Sequence, residues 1–85
     1  MSEQEKIGTR IRILRVKNGM SQSDLARFVG CHYQAVNDWE TGRFFPSVKA
    51  VLKICEAFDT DPNTILGWND SIDLSAAWKY PRVHR

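Results

Sequence analysis

Ile7, Ile11 and Leu14 recur at i, i+4 and i+7, which lines one face of a helix, while Lys6, Arg10, Arg12 and Lys17 fall mostly on its other faces. Gly19 ends this first helix. Met20-Ser21-Gln22-Ser23-Asp24-Leu25 then reads as a capping box, with the Ser21 hydroxyl taking the Asp24 amide and the Asp24 carboxylate reaching back. Met20 and Leu25 flank the cap as a hydrophobic staple. Leu25, Ala26 and Val29 supply the buried face of this second helix, and Gly30 stops it. After Cys31 and His32 a third helix turns Val36 and Trp39 inward and leaves Tyr33, Gln34, Asn37, Asp38 and Thr41 outward, with Gly42 as its stop. Arg43-Phe44-Phe45-Pro46 leads to Ser47, the cap of a fourth helix whose Val48, Val51, Leu52, Cys55 and Phe58 form an apolar stripe. Asp61-Pro62 opens a short fifth helix through Ile65 and Leu66, closed by Gly67.

No strand alternation or internal repeat interrupts this order, so the expected fold is all-α: five short helices in one domain over 1–67. From 68 to 85 the chain is acidic (Asp70, Asp73), then apolar (Ala76, Ala77, Trp78), then basic (Lys79, Arg82, Arg85). This tail has room for one short helix and reads as a dimer or partner arm, or as a disordered terminus. Trp39 and Trp68 read as core.

With 85 residues, 42% of them hydrophobic and 26% charged, the chain has the composition of a single globular domain. No run approaches the roughly 18 apolar residues of a membrane span, and the polar, acidic N-terminus is unlike a signal peptide, so a cytoplasmic protein is expected. Cys31, Cys55, His32 and His84 have no spacing suited to a metal, and no cofactor is expected. Cys31 and His32 are adjacent, and neighbours on a helix do not face each other, so they make a poor nucleophile and base. Lacking also a phosphate loop or evident small-molecule site, the chain does not read as an enzyme. Twelve basic against ten acidic residues give a net charge of +2, too small to imply a nucleic-acid partner by itself.

The positions from Gln22 to Trp39 carry that argument. Leu25, Val29, Cys31, Val36 and Trp39 are apolar, Ala26 is small where two helices cross, and Gly30 turns the chain. That spacing is the one required by a helix-turn-helix. With Ile11-Arg12-Ile13-Leu14-Arg15, Trp39-Glu40-Thr41-Gly42-Arg43 and Pro46-Ser47, the chain resembles the Cro and lambda-repressor-like (XRE) family over roughly residues 7–66. The resemblance implies that the third helix enters the major groove of double-stranded DNA, with phosphates held by the start of the second helix and the loop after the third.

The outward Tyr33, Gln34, Asn37 and Asp38 are then the base-contacting candidates. Gln34 and Asn37 suit the bidentate pairing with adenine, Asp38 suits cytosine N4, and Tyr33 a thymine methyl or a phosphate. Gln22, His32, Arg43, Lys49 and Arg10 are the candidates for the DNA backbone. Arg15 and Glu40 match positions that form a structural ion pair in relatives. His32 stands where relatives mostly carry a small polar cap. The expected function is sequence-specific regulation of transcription, as a repressor, by a homodimer on a pseudo-palindromic operator, joined through the fifth helix or the tail. The alternative is a protein-interaction module or an antitoxin-like component built on the same fold.

Overall fold

Helix α1 (Glu3–Lys17) begins well before its apolar spacing, because Ser2 caps it. The Glu5 amide donates to Ser2 Oγ at 3.1 Å and the Ser2 amide to Glu5 Oε1 at 2.9 Å, a capping box that satisfies two end amides at once. The chain is represented by a computed structural model that describes residues 1–81. His84, and Arg82 and Arg85 of the basic end expected of the tail, lie outside the described residues. Ser21 and Asp24 form the expected second box, opening α2 (Gln22–Val29). His32 caps α3 (Tyr33–Glu40), Ser47 caps α4 (Val48–Phe58), and Asp61 with Pro62 opens α5 (Pro62–Leu66). A 3-10 helix at Leu74–Lys79 follows, capped by Asp73.

Each α-helix sends one aliphatic side chain wholly out of solvent: Ile11, Leu25, Val36, Ile54 and Ile65. Helix α3 packs most extensively on α1 and α2, α4 closes the core from the side of α2, and α5 and the 3-10 segment lie against α1.

Two helices bury faces that their spacing did not predict. Helix α1 is covered by α3 on one side and by α5 and the 3-10 segment on another, so Ile13, Thr9, Arg10 and Arg15 are buried together with Ile7 and Ile11. Arg10 is therefore not on a solvated face, contrary to the amphipathic reading. In α4 the core face is Ala50, Val51, Ile54, Cys55 and Phe58. Val48 and Leu52, assigned to that stripe by spacing, are 79% and 53% exposed. They join Pro46, Val51, Pro62 and Leu66 along a shallow groove of about 180 Å³ between α4 and α5. Trp68, expected in the core, is 86% exposed, because the chain leaves the domain after the left-handed Gly67. The described part of the tail folds back rather than extending, and Tyr80 lies beneath Lys17 Nζ, 5.7 Å from the ring centroid.

Candidate nucleic-acid interface

The turn between α2 and α3 rests on Gly30, whose φ of 88° and ψ of 36° lie in the left-handed region that side chains with a Cβ avoid. Its amide and that of Cys31 both donate to the Ala26 carbonyl, at 2.8 and 2.9 Å, closing the end of α2 before the chain reverses. Helix α3 starts at His32, whose Nδ1 accepts the Gln34 amide at 3.2 Å. An accepting Nδ1 leaves the ring proton on Nε2, so the exposed ring still offers a donor. The ring packs beside Tyr33 with centroids 4.8 Å apart.

Val36, Trp39 and Glu40 hold α3 to the body, and the opposite face carries Gln34, exposed, with Tyr33, Asn37 and Asp38 half-buried. Gln34 Nε2 donates to Asp38 Oδ1 at 3.1 Å, one turn along. Exposed basic side chains stand at both ends of the helix. Arg43 follows its last turn, with the guanidinium 5.7 Å above the Phe44 ring. Lys49, in the first turn of α4, shares a depression of about 210 Å³ with Gly30, Cys31 and Ser47 at the start of α3. A convex helix with a polar face and flanking cations matches the demands of a groove lined by base edges and walled by phosphates.

Two predicted backbone contacts do not join this surface. Arg10 is 6% exposed, and its guanidinium lies against Gly67, where an added Cβ would overlap it. Its Nη1 is buried with no hydrogen-bond partner among the described residues. Gln22 is 1% exposed as a whole residue, and its side chain is turned inward. The reason is a buried polar network. Arg15 binds Glu40 through Nε and Nη2 at 2.6 and 3.0 Å and donates Nη1 to the Met20 carbonyl at 2.9 Å. Gln22 Nε2 donates to Glu40 Oε1 at 3.2 Å and to Asn37 Oδ1 at 3.3 Å. Helices α1, α2 and α3 are thereby tied together behind the outward face.

Gly8 belongs to the same framework and escaped the sequence reading. A Cβ there would run into the Trp39 carbonyl oxygen and lie 3.0 Å from Glu40 Cα, so glycine is what lets α1 approach the end of α3. The available signal was a glycine inside an otherwise helical stretch. Burial pushes the Cys31 and Cys55 thiols up, the Asp61 charge adding to the effect at Cys55, so neither has the lowered pKa of a reactive thiolate.

The family model described as Helix-turn-helix matches residues 11–65. An uncharacterised helix-turn-helix-type transcriptional regulator of Archaeoglobus fulgidus is 39% identical over 51 residues, 60% of this chain and 73% of that protein. One of Bacillus subtilis is 41% identical over 49 residues, 58% of this chain and 74% of that protein. Among solved structures, the restriction-modification controller protein C.AhdI from Aeromonas hydrophila superposes with a TM-score of 0.72 at 32% identity, covering 76% of this chain and 98% of that one.

Proposed function

The chain belongs to the XRE-type helix-turn-helix family of transcriptional regulators, and from that premise we propose that it represses transcription by occupying an operator through α3. The observation that carries the reading is the outward face of α3, where Gln34, Asn37, Asp38 and Tyr33 stand between the exposed cations of Arg43 and Lys49. Base readout falls to the four α3 side chains, and phosphate contact to Arg43, Lys49 and His32. Arg10 is not among them. Residues 1–67 form the DNA-binding domain and 68–85 an appendage to it.

Two copies act on one pseudo-palindromic site. The exposed Val48, Leu52 and Leu66, contiguous with Pro46 and Pro62, support the α4–α5 face as the contact between them. The test is selection of a randomised duplex library on the purified protein at near-physiological salt. A two-fold motif with half-sites about 10 base pairs apart is expected. Enrichment no better than bulk DNA would overturn the reading and favour the interaction module.

A further inference from the structure

The family match ends at residue 65, and the chain beyond it lies along a face of α1 separate from the main core. Arg10, Ile13 and Lys17 recur at i, i+3 and i+7, so they line one side of the helix. Gly67 lies against the Arg10 guanidinium at one end of this stripe, and the Tyr80 ring lies beneath Lys17 Nζ at the other. Between them Ile13 is 1% exposed, although it stands outside the hydrophobic cluster that joins Ile11, Leu25, Val36 and Ile54. Its cover is the tail, whose 3-10 helix packs on α1.

We infer that this face of α1 is a docking surface for an acidic, apolar peptide segment of a partner protein, and that residues 68–81 occupy it as a replaceable cover. The tail is an incomplete ligand for the face it covers. It shields Ile13, yet Arg10 Nη1 is buried without a hydrogen-bond partner, and Arg10 forms no ion pair with Asp70, Asp73 or any other acid among the described residues. A buried guanidinium without an acceptor has given up its hydration for nothing in return. A carboxylate brought in beside an aliphatic or aromatic side chain would supply that acceptor while keeping Ile13 covered.

The cover is also lightly held. No residue of the 3-10 helix is buried, and the connector from Trp68 to Ser71 is exposed throughout. The aliphatic floor at Ile13 favours a peptide over a nucleic-acid strand, whose phosphates would leave that floor unused. Because Arg10 does not join the outward face of α3, the docking surface stands apart from the operator reading and is tested without DNA.

Two measurements on the full chain test it. Amide hydrogen exchange followed by NMR should show Ala76 and Tyr80, whose amides bond within the tail, opening far more often than the amides of α1 to α4. Tail amides that exchange only with global unfolding would overturn the proposal, since nothing could then take the tail's place. Random short peptides displayed on phage and selected on the protein should yield sequences that combine Asp or Glu with Leu, Ile, Phe or Trp. Arg10→Met should lower the affinity of a selected peptide about 10- to 100-fold, the worth of a charge-assisted hydrogen bond, while raising the melting temperature, because an uncompensated buried charge is gone. Tyr80→Ala frees the tail from Lys17, and since the peptide binds only the open form, its affinity should rise about 2- to 5-fold. Failure to enrich any peptide even on Tyr80→Ala, peptides without a carboxylate, or peptides held equally well by Arg10→Met would each overturn the proposal. An oligothymidylate strand that binds Tyr80→Ala where no peptide does would overturn it as well, and would assign the cations to a phosphate chain.

Discussion

Arg15 and Glu40 have side chains 1% and 0% exposed, so each charge depends on the other for the solvation it gave up. Arg15→Met alone, or Glu40→Gln alone, should cost about 3–5 kcal/mol in urea unfolding, because one buried ion is left uncompensated. Replacing both with methionine should cost much less than the sum. Single variants within about 1 kcal/mol of wild type would contradict this account. In the proposed DNA complex the exposed residues separate differently, by whether they are assigned to bases or to phosphates. Gln34→Ala should lower specific affinity by about 1–3 kcal/mol and relax one base pair, whereas Arg43→Ala should weaken all sequences and reduce the salt slope by about one. A salt titration of both variants on operator and bulk DNA distinguishes the two behaviours, and an unchanged slope for Arg43→Ala removes it from the phosphate contacts. The outward identity of Gln34 was legible because helical period alone sets it. The inward turn of Gln22 was not, since a glutamine at a helix start is ordinarily solvated, and only the convergence of α1, α2 and α3 offers it the partners Glu40 and Asn37.

Helix starts were legible along most of the chain because caps are local chemistry: Ser21 with Asp24, Ser47, and Asp61 with Pro62 all act where their residue types suggest. That chemistry makes stability sensitive to acid. Hydrogen bonds from the Ser21 amide and hydroxyl hold the Asp24 carboxyl below its usual range, and Ser2 does the same for Glu5. A carboxyl with a lowered folded-state pKa stabilises above its unfolded value, and that contribution is lost as pH falls from about 4 through the folded value. Melting temperature should therefore drop across this window, and Asp24→Asn should flatten part of the drop. Helix faces were less legible, for a physical reason. Hydrophobic period reports a helix buried on one side, whereas α1 is covered from several directions and α4 has two apolar faces, only one of which meets the core. Gly8 shows what the period omits. Gly8→Ala gains up to about 1 kcal/mol in helix propensity but sets a Cβ against the backbone of Trp39 and Glu40, which cannot rotate away. The clash should win, with a net loss of about 1–3 kcal/mol in thermal or urea unfolding. A variant as stable as wild type would mean that α1 and α3 can separate freely.

The described residues span 27 × 24 × 23 Å, and half-sites on B-DNA lie about 34–36 Å apart along the duplex. One copy carries one α3 and cannot place it at both positions, so specific recognition of a two-fold operator requires a second copy. The α4–α5 face can receive it at little cost to the fold, because the side chains concerned are already in solvent. Leu52→Glu should leave melting of the dilute protein nearly unchanged, Leu52 being 53% exposed, yet put a charge into the proposed contact on both copies, where like charges would oppose each other. Sedimentation should then report monomers, and affinity for the full operator should fall toward that for an isolated half-site. The tail offers a contrasting control. Trp78 is 77% exposed on a 3-10 segment packed against α1 of its own chain, so Trp78→Ala should leave the dimer intact. If Trp78→Ala instead dissociates the protein while Leu52→Glu does not, the tail joins the two copies. The spacing between the α3 helices would then be set from the α1 side of the molecule rather than from α4 and α5.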